Sequence, residues 1–573
     1  MSATQNDAKA VPVNELESQD AATLHDNQSH SISDKLDGKL DEKNEKSQED
    51  SGTPETPTED EDDYPHGLRL GLLTLALCLA VFLVCLDSTI IATAIPKISD
   101  QFKSLDDVGW YGSSYLLTLS ATQLLFGKFY TFLPIKWVYV AAISVFEIGS
   151  LICGAAPTSD ALIIGRAIAG LGSAGIISGS LIIVANTVPL ARRPIYTGLV
   201  GGMYGIASVA GPLLGGAFTD KVTWRFCFYI NLPIGAITLA VIIFLFKMPK
   251  RAQIKHEPMT IRERLGQFDP VGTIVFIPAI VSLLLALQWG GSKYPWNSGR
   301  VIGLFVVFGV LIAVFIGVQF WKQDAATIPP RLLKQRSIWS GCLFAFTVGG
   351  GFMIITFYLP IWFQAIRGVS AVQSGIDGIP MILSLVVASL ASGIAITIVG
   401  YYVPFMLASS VILTVGCGLL TTLKPDSDHT KWIPYQFIAG VGNGLGSQQP
   451  LLAAQVVLAM KDIPVGTSMI MFMQTLGGAL FISIGQNVFT NKLVSGLISK
   501  VPSVSPQLVL GVGATSLKSA VPPELLPQVL DVYNTALVSS FYVSTAMTGL
   551  SLIGALSIEW KNIKGRKMEM VAA

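Results

Sequence analysis

The stretch LIIGRAIAGLGSAGIISGSLIIVA, Leu162 to Ala185, decides how the chain is read. It spells G-x-G-x-x-G across Gly170, Gly172 and Gly175, the form of a dinucleotide-binding loop, and it holds one full positive charge, Arg166. A dinucleotide loop lies between a strand and a helix whose N-terminus faces the pyrophosphate. Here the glycines sit inside an apolar run long enough to cross a bilayer, about 20 residues at 1.5 Å each. A helix in lipid must satisfy its own backbone, and its small residues let a neighbouring helix come close. The stretch therefore reads as a membrane helix whose glycines serve packing and whose arginine needs a separate reason. No G-x-x-x-x-G-K-[ST] occurs, so no nucleotide is expected as cofactor, partner or energy source.

The rest of the chain agrees with that reading. Only 13% of its 573 residues are charged and 51% are hydrophobic, where a soluble chain carries about 25% charged residues. Much of the charge falls in the first 65 residues, which are polar, acidic and rich in Pro, Ser and Thr. That segment has no apolar core of a signal peptide and too little apolar surface to fold. Six cysteines, Cys78, Cys85, Cys153, Cys227, Cys342 and Cys417, all lie in apolar runs and read as small buried hydrophobes. No metal site is expected from them, and nothing points to nucleic acid or to enzyme chemistry.

Apolar windows fall at 68–92, 110–132, 137–156, 160–187, 196–218, 227–247, 270–289, 301–321, 339–361, 377–399, 402–422, 434–458, 467–489 and 537–559. The expectation is an all-α polytopic membrane protein with about fourteen crossings. Alternate loops collect the positive charges, Arg192, Arg193, Lys247, Lys322, Arg331 and Lys334 among them, while the opposite loops hold singles such as Lys97, Lys221, Lys293 and Arg367. Cytoplasmic loops collect Lys and Arg, so both termini are placed in the cytoplasm. The glycosylation triplet Asn27–Ser29 then has no role. The domain reading is a disordered acidic tail (1–67), a six-helix bundle (68–247), a cytoplasmic linker (248–269) and an extra helix pair (270–321). A second six-helix bundle (339–559), with an external loop at 491–536, and a short cytoplasmic tail (560–573) complete it.

Three ionisable groups lie well inside the crossings: Asp87, Glu147 and Arg166. A charge at the bilayer centre costs roughly 2.5–3.5 kcal/mol on insertion scales, so it needs a wet cavity or a partner. The explanations open for Asp87 and Arg166 are a structural buried pair, snorkelling to the interface, and a titratable carboxylate with a cationic modulator in a transport path. Desolvation makes a carboxyl hold its proton and a nearby guanidinium makes it let go, so a site alternating between those surroundings can carry a proton. Glu147 divides evenly between a helix-packing hydrogen bond and a minor share in that work.

At these residues the sequence resembles the major facilitator superfamily, and within it the fourteen-helix drug:proton antiporters. LDSTIIATAIPKI (Leu86–Ile98) is similar to the motif ending that family's first helix, with Asp87, Thr89 and Pro96 on its marked positions. RAIAGLGSAG places Arg166 on the fourth-helix arginine, to which the resemblance assigns proton transfer. GLVGGMYGIASVAGPLLGGAF resembles the antiporter motif of the fifth helix through Gly198, Gly211, Pro212, Gly215 and Gly216, with Ala207 in place of one glycine. WRFCFYINLPIG (Trp224–Gly235), FYLPIWFQAIRGVSAVQSGI (Phe357–Ile376) and GVGNGLGSQQPLLAAQ (Gly440–Gln455) resemble signatures of the fungal toxin-efflux branch. One motif departs. GKFYTFLPIK (Gly127–Lys136) stands where relatives read G-x-L-x-D-R-x-G-R-[RK], with Thr131 for the aspartate and Phe132 and Ile135 for basic residues. The cytoplasmic gate is therefore expected to close by other contacts.

The resemblance implies the major facilitator fold, two six-helix bundles plus an extra helix pair, and a proton-coupled exporter of small hydrophobic molecules acting as a monomer. Proton-coupled uptake, as of siderophore-iron, and a non-transporting membrane sensor are the alternatives. Candidate cavity residues are Gln123, Tyr358, Trp362, Phe363, Gln364, Asn443, Gln448, Gln449 and Gln474, polar or aromatic groups on apolar runs. The expected location is the plasma membrane, with the vacuolar membrane as the alternative.

Overall fold

The computed structural model describes residues 64–104, 107–247, 266–291, 293–511 and 517–564. The tail before residue 64, positions 248–265 of the linker and everything after 564 lie outside the described residues, so the expectations made for those segments are not addressed by the structure. Among the described residues the chain is helix and turn, with two isolated β-bridges, Gly290–Tyr294 and Tyr401–Asn562.

The long helices of the first half are α1 (Gly67–Phe102), α2 (Val108–Phe132), α3 (Ile135–Ala155), α4 (Ser159–Thr187), α5 (Arg193–Lys221) and α6 (Asn231–Leu245). An additional pair follows, α7 (Pro270–Trp289) and α8 (Gly299–Lys322). The second half holds α9 (Arg336–Trp362), α10 (Ile379–Val399), α11 (Val403–Leu420), α12 (His429–Gly446), α13 (Ile463–Lys500) and α14 (Leu526–Ser557).

Local chemistry sets several of these boundaries. The Thr158 hydroxyl accepts from the backbone N–H of Ala161 and starts α4, and the Asp269 carboxylate accepts from Gly272 N at 2.9 Å and starts α7 with a proline at its first position. α10 stops at Gly400, whose φ of +89° is left-handed and suits glycine alone.

Twelve of the described helices are long and apolar enough to cross a membrane. α2 and α12 are the two long helices not among them, because they carry Ser, Thr, Gln, Asn and Lys. They can do so because protein, not lipid, surrounds much of them: α2 packs on α4 and α13, and α12 on α10 and α11. Counting both gives the expected layout of about fourteen.

Within the first half α1 packs on α5 and α6, and α4 on α2 and α3; within the second α9 packs on α13 and α14, and α11 on α12 and α14. The halves meet along two seams, α5 with α10 and α2 with α13. Of the additional pair, α7 lies against α2 and α13, beside the second seam, and α8 packs on α7. One end of the molecule is sealed. There the last turns of α4, the helix Gln449–Val457 and the first two turns of α13 are buried almost without a break.

The helices outrun the apolar windows at several ends. α13 continues to Lys500 and α14 begins at Leu526, so both take in parts of the stretch read as a loop at 491–536. Short helices, Pro506–Gly511 and Leu517–Ala520, occupy part of what remains. The outer turns are amphipathic rather than apolar, which is why a hydropathy window ends early.

Candidate functional site

Asp87 stands on α1 and Arg166 on α4, and both are fully buried, 0% and 1% exposed. The structure brings them together: Arg166 Nη1 is hydrogen-bonded and ion-paired to Asp87 Oδ2. Its Nε donates to the backbone carbonyl of Tyr111 on α2 at 2.8 Å, and its guanidinium carbon lies 4.4 Å from the ring centre of Tyr115. The Tyr115 hydroxyl is itself fixed, donating to the Val84 carbonyl on α1 at 3.0 Å. On the other side, Asn231 at the start of α6 donates its amide to Asp87 Oδ1 and to Ser150 Oγ, both at 3.1 Å. The pair is thus held by four helices, and each partner offsets the other's loss of water. Removing one side of such a pair is far more destabilising than removing both.

The glycines of the opening stretch answer to packing. A Cβ on Gly172 would sit 2.5 Å from the backbone nitrogen of Phe146 on α3, and one on Gly175 would sit 2.5 Å from the Phe126 ring on α2. α4 is wedged between α2 and α3 so closely that only glycine fits, and this wedge carries Arg166 to Asp87.

The fifth-helix motif meets the same region. Gly211 and Gly215 of α5 lie against Thr89 and Thr93 of α1, and Gly198 lies against the Ser389 carbonyl of α10. Pro212 sits inside α5 and removes one backbone donor from its middle. Ala207, where the motif has glycine, is fully buried and still leaves room for the Thr89 hydroxyl to reach its carbonyl at 3.1 Å. Gly216, the last motif position, has only Val372 near a would-be Cβ, at 3.6 Å.

Glu147 on α3 does not touch the pair. Its carboxyl is turned toward Gly235 of α6, and both oxygens are buried without a hydrogen-bond partner.

The nine cavity candidates are not gathered at one place. The Gln123 amide donates to Ser178 Oγ at 2.5 Å between α2 and α4, and the Trp362 indole donates to Asn534 Oδ1 at 2.7 Å between α9 and α14. Tyr358 donates to the Ile482 carbonyl and to Gln486 Oε1, both at 3.1 Å, and Phe363 packs edge-on to Trp432 at 5.1 Å. Gln364 is half-buried in the π-helical turn that follows α9. At the sealed end, Gln448 lies against Gly201 of α5, and Gln449 donates to the Leu445 carbonyl at 3.0 Å. Asn443 is buried in α12, while Gln474 is half-buried in α13, its carbonyl beside Gly349.

Sequence reasoning missed Asn231. It sits inside the WRFCFYINLPIG signature, but a polar residue opening an apolar helix reads as a cap. Its partners, Asp87 and Ser150, lie 144 and 81 positions away. The one available signal was an amide placed where an apolar residue would cross the membrane more cheaply.

Residues 77–482 match the Major Facilitator Superfamily. The MFS-type efflux pump MFS1 of Arthroderma benhamiae is 59% identical to this chain over 507 residues, 88% of this chain and 94% of that one. The efflux pump roqT of Penicillium rubens is 56% identical, over 86% of this chain and 91% of its own. The efflux pump aflT of Aspergillus parasiticus is 50% identical, over 87% and 97%. Among solved structures, the human organic anion transporter MFSD10 (TETRAN) superposes with a TM-score of 0.53 at 12% identity, covering 84% of this chain and 100% of that one. The proton:xylose symporter XylE superposes with a TM-score of 0.55 at 12% identity, covering 86% and 97%. At that identity the two structures bear on the fold alone. With the family pattern spanning most of the helices and the relatives aligning over nearly their whole length, the chain belongs to the major facilitator superfamily.

Proposed function

We propose that this chain is a proton-coupled exporter of small, largely apolar organic molecules that works by alternating access. Asp87 is the carboxyl that gains and loses the proton, and Arg166 is the fixed cation that shifts it between the two states. Relatives named as efflux pumps, similar along nearly their full length, favour export.

The observation that carries the coupling is the placement of Asp87 two residues from Thr89 on α1. Asp87 is held by Arg166, and Thr89 is bound to α5, the helix that forms one seam with α10. A carboxylate at Asp87 keeps α1 drawn to α4. Protonation removes the charge that Arg166 neutralises, loosens that hold, and lets α1 move with α5 against the second half. Protonation adds one positive charge to the buried site and leaves the Arg166 guanidinium without its counter-charge, a cost that favours the movement by which Arg166 finds water or another acceptor.

The sealed end is assigned to the cytoplasmic side, with both termini there. The boundaries of the two bundles, the linker and the extra pair are kept as read from the sequence. The protein works as a monomer, and the plasma membrane is its assigned site. No substrate is named: the residues around the seams are apolar with scattered amides, which fits a class of molecule rather than one compound.

The test is transport by the full chain in vesicles under an imposed proton gradient. Asp87→Asn should end gradient-driven efflux while the variant still folds and still exchanges substrate across the membrane without a gradient. Gradient-driven efflux that persists in Asp87→Asn removes Asp87 from the coupling step. Accumulation driven by a parallel gradient in the wild type would make the protein an importer.

A further inference from the structure

The two carboxyl oxygens of Asp87 have different partners. Oδ2 is bonded to Arg166, and Oδ1 accepts from the Asn231 amide at 3.1 Å. A guanidinium offers donors only. While Arg166 stays on Oδ2, a proton taken up by Asp87 must therefore sit on Oδ1, the side that Asn231 faces.

There the proton meets an amide turned the wrong way for it. Asn231, at the start of α6, is fully buried and presents its NH2 group to two acceptors, Asp87 Oδ1 and Ser150 Oγ of α3, both at 3.1 Å. Its own carbonyl oxygen is buried with no donor among the described residues. This arrangement suits a carboxylate, since two N–H bonds serve two acceptors. Once Asp87 carries the proton, an O–H faces an N–H, and a buried donor without an acceptor is costly.

The fork can be reversed. An amide nitrogen carries two hydrogens and an amide oxygen two lone pairs. The last side-chain torsion of asparagine is broad and roughly two-fold, so a half-turn exchanges the two ends in place. Asp87 O–H and Ser150 O–H then both donate to Asn231 Oδ1, and Ser150 has only to rotate its hydroxyl hydrogen. One end of the amide is open in either state, so the turn matches Asp87 without giving up a bond. Every contact of the second state joins residues that already touch in the first.

The titratable groups around Asp87 leave Oδ1 to Asn231. Arg166 comes from α4. From α2, the Tyr115 hydroxyl is engaged by the Val84 carbonyl and Ser173, and the Tyr111 hydroxyl by Ser104 and Ser159. On α3, Glu147 has no hydrogen-bond partner among the described residues, and Cys153 is turned to the Leu162 carbonyl at 3.7 Å. Cys85 lies two residues before Asp87 on α1, Cys227 lies on the short helix before α6, and α6 itself carries no titratable residue. Tyr204 of α5 is directed to Met353 of α9.

We propose that Asn231 is an amide switch that positions Asp87 in both of its charge states, with the NH2 group toward the carboxylate and the carbonyl toward the acid. No proton passes through it. The turn lets Asp87 gain and lose its proton on the α6 side while keeping a matched partner there throughout. This rests on Asp87 being the carboxyl that takes up the proton, and it gives the INLPIG segment (Ile230–Gly235) a task at its buried amide.

Solid-state NMR of the full chain in lipid vesicles, with asparagine side chains labelled with 15N, tests it without any substrate. The Asn231 signal is identified by its loss in Asn231→Leu. Protonation of Asp87 is followed in the same vesicles by infrared, as a neutral carboxyl band that is lost in Asp87→Asn. As the pH falls, the Asn231 signal should move together with the rise of that band, and in Asp87→Asn it should stay still. Gradient-driven efflux should fall about tenfold or more in Asn231→Leu, which offers Asp87 neither end of an amide. Should Asn231→Leu not fold, the smaller Asn231→Ser removes the same signal and takes its place. An Asp87 band that rises while the Asn231 signal stays put overturns the proposal, as does the lack of that band at every pH at which the chain remains folded, or full efflux in Asn231→Leu. The two readings fail separately: gradient-driven efflux by Asp87→Asn judges the coupling, and the Asn231 signal judges the switch.

Discussion

Thr89 on α1 donates its hydroxyl to the backbone carbonyl of Ala207 on α5 at 3.1 Å, and its side chain fills the space beside Gly211. Two motifs that sit more than a hundred residues apart in the chain are thus one contact in the fold. The motif around Asp87 and the Gly-Pro motif of α5 share a surface whose closeness depends on the missing Cβ at Gly211 and Gly215.

That closeness makes a double substitution informative. Gly211→Ala should push a methyl group into Thr89 and lower stability by about 1–3 kcal/mol, the usual range for overpacking. Thr89→Ala removes the atoms it would strike and loses one hydrogen bond, about 1 kcal/mol. The pair Thr89→Ala with Gly211→Ala should be more stable than the sum of the singles predicts, as contacting residues are. Thermal unfolding of the purified chain reads this directly, and strict additivity would mean that the two residues do not meet.

The buried ion pair invites the same treatment with a different expectation. Asp87→Asn or Arg166→Gln alone leaves one side of a desolvated pair without its partner, a loss of about 3–5 kcal/mol in buried pairs. Together they leave two neutral amides that can hydrogen-bond one another. The double variant should recover most of the unfolding temperature but none of the gradient-driven efflux. Recovery of both would reduce the pair to a structural tie, the alternative that the sequence left open.

Those two contacts mark how far the sequence could be followed. Helix existence was legible nearly everywhere, because lipid demands an apolar run for each crossing. The start of α7 coincides with the start of its apolar window, at Pro270, where the Asp269 carboxylate caps the first turn. The end of α13 could not be placed, because NKLVSGLISK (Asn491–Lys500) mixes two lysines, an asparagine and two serines with its apolar residues and so falls below an apolar window while remaining helical. Asp87 and Arg166 were legible as charges out of place. Their contact was not, and Asn231 was missed, because hydrogen bonds across such separations leave no local periodicity. The amides expected in a cavity could not be told from packing groups for a related reason: Gln123, which bonds Ser178 between α2 and α4, is as useful between helices as toward a ligand.

The loop that departs from the family's ionic pattern, Gly127–Lys136, begins among close contacts at the sealed end. At the sealed end Gly127 of α2 lies against Ser468 of α13, and a Cβ there would come 3.3 Å from the Pro464 carbonyl. Lys128 is 2% exposed and donates to the Ala325 carbonyl at 3.3 Å, with its ammonium 5.6 Å from the centre of the Phe132 ring. Ala325 belongs to the segment between the extra pair and α9, and Asp269 accepts from Thr327 of that segment through both its N–H and its hydroxyl, each at 2.9 Å. Arg331 then forks onto Asp462, just before α13, at 2.8 and 2.6 Å. A chain of contacts thus runs from α2, through the segment that ends the extra pair, to α13, across the seam that must part when this end opens. Lys128→Met keeps the aliphatic stem and removes the charged bond to the segment after the extra pair, leaving the other charged bond of the loop motif, Lys136 to the Ile243 carbonyl at 2.6 Å, in place. It should favour the open end by about 1 kcal/mol, roughly fivefold in population. Asp462→Asn should matter less, because a half-exposed ion pair is worth about 0–1 kcal/mol. A cysteine introduced by Thr467→Cys, at a fully buried position on α13, reports the opening through its labelling by a water-soluble thiol reagent. Faster labelling in Lys128→Met than in Asp462→Asn supports Lys128 as the latch. Equal rates in both variants and in the parent would mean that the glycine contact at Gly127 closes this end without help from charge.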